Sequence, residues 1–77
     1  MKLDFYEFVK LLDQGREIEI VFKGEKYYFT TEKNIYFMRT TISEIIKFKN
    51  IQELLDLKIK NYSIISVLSN LEDYIIY

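Results

Sequence analysis

Glu17-Ile18-Glu19-Ile20-Val21-Phe22-Lys23-Gly24-Glu25-Lys26-Tyr27-Tyr28-Phe29-Thr30-Thr31 carries the strand and turn signals on which the architecture rests. Ile18, Ile20 and Phe22 alternate with mostly polar neighbours, the period of a half-buried strand. Gly24-Glu25 follows, and a glycine at the first central position suits a two-residue type II′ hairpin turn. Folding the chain there sets Phe22 opposite Tyr27, Ile20 opposite Phe29 and Ile18 opposite Thr31. The other face then pairs Lys23 with Lys26, Val21 with Tyr28 and Glu19 with Thr30. One face is apolar throughout, so pattern and turn agree on a register.

On the N-terminal side, Phe5, Phe8, Val9 and Leu12 fall at i, i+3, i+4 and i+7, the apolar stripe of a surface helix. Asp4 with Glu7 three residues later forms an Asp variant of the capping box. Gly15 stands where a left-handed C′ residue is expected, so the helix spans about 4 to 14. On the C-terminal side, Glu32-Lys33-Asn34 reads as a second turn and Ile35-Tyr36-Phe37-Met38-Arg39 as a third strand. Both alternating sets of that strand carry large apolar groups, so its inward face stays open. Ile42 to Phe48 reads either as a fourth strand or as a helix capped by Ser43. The strand is preferred, because Asn50 with Glu53 makes a better cap further on. Ile51, Leu54 and Leu55 then give a short helix ending near Leu57 or Lys58. Ile64, Val67, Leu68 and Leu71 give a second, capped by Asn61 or Ser63. Asp73-Tyr74-Ile75-Ile76-Tyr77 closes with strand character. The expectation is a single small α+β domain over residues 1–77. It has an N-terminal helix, an antiparallel sheet of three to five strands, two short C-terminal helices and a terminal strand.

Seventy-seven residues, 49% hydrophobic and 30% charged, bound this reading to one small globular unit. Such a chain buries only about 60% of its unfolded surface, so stabilisation must come from large side chains or from a second copy. Seven tyrosines and six phenylalanines supply them. There is no histidine, cysteine, tryptophan, proline or alanine. Thiol chemistry, imidazole bases, disulfides and the usual zinc ligand sets are therefore excluded. A small secreted domain is expected to carry disulfides, which favours a cytoplasmic location. The longest uncharged stretch, Asn61 to Leu71, is far short of the roughly 20 apolar residues that span a bilayer. No membrane association is expected.

The segments from Asp4 to Leu12, Gly15 to Ile20 and Gly24 to Tyr28 resemble a loose group of small hypothetical proteins of Firmicutes and their phages. Phe48-Lys49-Asn50-Ile51-Gln52-Glu53-Leu54-Leu55 and the terminal Asp73-Tyr74-Ile75-Ile76-Tyr77 are similar to later parts of that group. The shared motifs are capping and core patterns. The resemblance thus implies a setting, a low-GC Gram-positive host or its phages and prophages, and supports a strand over 44–48. It implies no catalytic or binding residue.

Candidate chemistry is sparse. Glu17 and Glu19 on one strand face stand about 6.5–7 Å apart at a strand's rise per residue, but read as the solvated face of an amphipathic strand. Ser63, Ser66 and Ser69 have no base to activate them. Gly15 and Gly24 are a helix stop and a turn, not a phosphate loop. No catalytic residue, cofactor or metal is expected, and the chain is read as not an enzyme. Lys47 with Lys49, Lys58 with Lys60, and Lys23 with Lys26 are interspersed with twelve acids against eleven bases, which disfavours nucleic acid. A protein partner is the leading expectation, with a homodimer or a weak nucleic-acid binder as alternatives. Its surface is the sheet face of Val21, Tyr28 and Tyr36, opposite Ile18, Ile20 and Phe22. The terminal strand offers either an edge for another chain or an internal strand of the sheet, the latter preferred.

Overall fold

Asp4 accepts the Glu7 amide at 3.2 Å and opens helix α1, Phe5–Asp13. The computed structural model describes residues 1–77. Gly15, at φ +81°, ends α1: its amide donates to Leu12 and that of Arg16 to Leu11, the paired bonds of a Schellman motif. Five strands follow the expected order in one antiparallel sheet: β1 (Ile18–Phe22), β2 (Glu25–Glu32), β3 (Ile35–Thr40), β4 (Ile45–Phe48) and β7 (Asp73–Ile76). Their spatial order is β4-β3-β2-β1-β7. Between β4 and β7 lie α2 (Ile51–Leu55), a small hairpin of β5 (Lys58–Ile59) with β6 (Tyr62–Ser63), and α3 (Ile64–Ser69). The α+β class, the N-terminal helix, the two short C-terminal helices and the presence of a terminal strand are as expected, but that strand lies at an edge of the sheet and not inside it, because β1 alone flanks it. The β5–β6 hairpin is additional.

The first hairpin corrects the expected register. Its turn is Lys23-Gly24, with Phe22 opposite Glu25, Ile20 opposite Tyr27 and Ile18 opposite Phe29. Both turn residues have positive φ, +48° and +79°, the requirement of a type I′ turn rather than II′. The slip is two residues, so every side chain keeps its face. It also sets Val21 opposite Lys26 and separates the two lysines that the expected register would have opposed. Lys33-Asn34 and Lys60-Asn61 repeat this geometry, with positive φ at all four residues.

Residues 42–48 resolve as a turn followed by β4. Ser43 is no helix cap; it takes φ +66° in a three-residue loop closed by the Thr40 amide on the Glu44 carbonyl at 3.0 Å. Asn50 accepts the Glu53 amide at 2.9 Å and caps α2, which ends at Leu55, short of Leu57. Ser63, not Asn61, caps α3 through the Ser66 amide.

All three helices lie against one face of the sheet. Ile18, Ile20, Phe22, Tyr27, Phe29, Tyr36, Met38 and Phe48 point inward and share one core with Phe8, Leu12, Leu54, Ile64, Val67 and Leu68. The Phe8 and Phe29 rings meet edge to face at 5.0 Å. On the opposite face no helix packs.

Candidate interaction surface

The pleat sends alternate residues to the uncovered face: Glu19 and Val21 from β1, Tyr28 and Thr30 from β2, Phe37 and Arg39 from β3, Ile45 from β4 and Ile75 from β7. Val21, Tyr28 and Phe37 are half-buried by their neighbours, whereas Ile45 is 64% exposed. Tyr28, Thr30, Glu32, Phe37, Arg39 and Ile45 line a shallow groove of about 280 Å³. The Arg39 guanidinium carbon lies 5.0 Å from the centre of the Tyr28 ring, a cation–π stack. Arg39 has no carboxylate partner; the ion pairs are Lys26 with Glu19 at 3.9 Å and Lys60 with Glu25 at 3.1 Å.

Of the three residues expected on this face, Val21 and Tyr28 are there and Tyr36 is not. Tyr36 is 5% exposed on the core face, and its hydroxyl donates to Asp13 Oδ1 at 2.7 Å. Burial, then the Asp13 carboxylate, pushes the Tyr36 phenol up to about 12. The cause lies in the Lys33-Asn34 turn. A two-residue loop sets Glu32 opposite Ile35 and Phe29 opposite Met38, which carries Met38 and Tyr36 inward and Phe37 and Arg39 outward. Reading that turn as two residues, from its Asn, would have found Phe37 and Arg39 in the sequence.

Glu17 and Glu19 part company. Glu17 is exposed ahead of β1, while Glu19 is 8% exposed on the open face, between Tyr28 and Ile75 in register. It is no member of a solvated stripe: Tyr77 Oη donates to it at 3.1 Å. That hydrogen bond, with lesser burial, raises the Tyr77 phenol. Near the first turn, Lys60 and then Tyr27 hold the Glu25 carboxyl below its usual range. No cluster of three or more carboxylates forms a metal site, and no helix is long and apolar enough to cross a membrane.

A larger groove, about 470 Å³, runs between α1 and the start of α2, lined by Phe5, Tyr6, Val9 and Ile51 with Lys10 and Asp13. Its polar groups do not converge, since Asp13 is engaged by Tyr36. A third hollow holds Lys23 over the Tyr62 ring at 5.1 Å, beside Phe22. No family model, curated protein or solved structure matches this chain.

Proposed function

We propose that this protein is a non-enzymatic binding module that docks another protein on the open face of its sheet. The observation that carries the reading is the uncovered face itself, where Val21, Tyr28, Phe37 and Ile45 lie on four successive strands. Tyrosine and arginine stacked on a rigid sheet give large contact area at low entropic cost, the composition of binding hot spots. Arg39, which has no ion pair of its own, selects a partner that sets a carboxylate within an apolar patch. The resemblance to phage-associated proteins makes a host protein of a low-GC Gram-positive bacterium the first partner to seek, with inhibition of that protein as the outcome.

Affinity capture from such a lysate tests this with the wild-type chain, Phe37→Glu, Arg39→Glu and the helix-side Tyr6→Ala. The proposal expects one stoichiometric protein retained by wild type and Tyr6→Ala, and reduced at least tenfold by both open-face variants with their circular dichroism unchanged. Equal retention by all four rejects this face. Capture of nucleic acid with steep salt dependence replaces the reading with the nucleic-acid alternative.

A further inference from the structure

Strand β7 is an edge of the sheet, paired with β1 alone. The Tyr77 amide donates to the Glu17 carbonyl at 2.8 Å, which sets the alternation of the ladder. Ile75 and Asp73 therefore turn their main-chain groups to β1, and Tyr74 and Ile76 turn theirs away. The Tyr74 amide, consistent with this, reaches only the Asp73 carboxylate, at 2.9 Å. Sheet edges are normally blunted by short length, charged side chains, proline, a bulge or a cover, and β7 has only its four-residue length and Asp73. Residues 73–77 carry one charged side chain, Asp73, and no proline, and the β7–β1 register is regular from Asp73 to Ile76, after the Glu72 amide has reached the Val21 carbonyl at 2.9 Å. At the opposite edge, β4 carries Lys47, followed by Lys49.

We propose that β7 pairs with β7 of a second copy of this chain, antiparallel, in the register centred on Ile75, to join two five-stranded sheets into one of ten. The choice of a second copy rests on self-complementarity. In that register Tyr74 stands opposite the other copy's Ile76, and the two exchange main-chain hydrogen bonds about a two-fold axis perpendicular to the sheet. Ile75, 44% exposed on the open face, packs against its own symmetry mate. The Asp73 side chain falls opposite the Tyr77 ring and not opposite another carboxylate side chain. The Asp73 carboxylate yields the Tyr74 amide to the partner carbonyl. Both helical layers stay on the same side, and the open faces of the two copies run together. A contact of five residues per chain is small, so the dimer forms at high concentration and dissociates on dilution.

Sedimentation equilibrium up to about 1 mM chain tests this, since a millimolar Kd is the weakest that counts as a dimer here. The expected mass rises with concentration toward twice the 9.4 kDa of one chain. Ile76→Pro removes an amide that faces away from β1, a position an edge strand tolerates, and is expected to weaken the dimer at least tenfold. Ile75→Lys sets two like charges at the two-fold axis and is expected to do the same, so it decides the matter if the proline variant fails to fold. Ile45→Lys, on the far edge, leaves the dimer intact. A chain that stays monomeric throughout overturns the proposal, as does a dimer that survives Ile75→Lys or is lost with Ile45→Lys.

Discussion

Tyr36 carries two roles in one side chain: its ring fills the core beneath β3, and its hydroxyl ties the sheet to the last residue of α1 at Asp13. The phenol is held neutral, with its pKa raised from 10.0 to about 12 by burial and then by Asp13. Tyr27 is raised to about 12 as well, by burial and then by its hydrogen bond to Glu25. An acid with a raised folded pKa stabilises the fold fully below its unfolded pKa and loses that contribution as pH rises through the folded value. Stability is therefore expected to fall between about pH 10 and 12, measured as the urea midpoint across that range. Tyr36→Phe flattens part of that fall and costs about 0.5–1.5 kcal/mol at neutral pH through the lost hydrogen bond. An unaltered slope in the variant would show that Tyr36 does not govern alkaline unfolding.

The elements differ in how plainly the residues announce them. Asp4, the Phe5-Phe8-Val9-Leu12 stripe and Gly15 define α1 by local chemistry, and the structure follows them within a residue or two. Which side chains of β1 and β2 face inward was equally legible, because a strand's period of two survives a two-residue slip. Their partners were not. The sequence pattern favours glycine as the first turn residue, whereas the chain puts Lys23 first and Gly24 second, with both in the left-handed region. The Lys33-Asn34 turn hid the face of β3 for the same reason, and with it Phe37 and Arg39. Short hairpins such as β5–β6, two residues per strand, offer no period to read. Turn strain makes a prediction at this scale. Ser43 holds φ +66° in the loop between β3 and β4, a conformation that glycine adopts without a Cβ clash. Ser43→Gly is expected to raise stability by about 0.5–1 kcal/mol in urea unfolding, after the greater entropy of glycine in the unfolded chain is subtracted. A destabilised variant would mean that the Ser43 side chain contributes to the loop.

At the scale of the whole molecule, the asymmetry of the sheet organises everything else. One face is sealed by three helices into a single apolar core; the other carries Tyr28, Phe37, Arg39 and Ile45 with no covering element. With no covering element, Tyr28, Phe37, Arg39 and Ile45 stay accessible to a partner, and it is to this face that we propose the partner binds. The absence of histidine and cysteine rules out imidazole and thiol chemistry from the sequence alone, whereas the makeup of the open face depends on the register of every strand. The most direct test is hydroxyl-radical footprinting of the chain alone and with its captured partner, read residue by residue by mass spectrometry. Oxidation of Tyr28 and Phe37 is predicted to fall severalfold on binding while Tyr6, 74% exposed on α1, is unchanged. Protection at Tyr6 and Ile51, with Tyr28 and Phe37 still oxidised, would place the partner on the helical side and contradict the assignment.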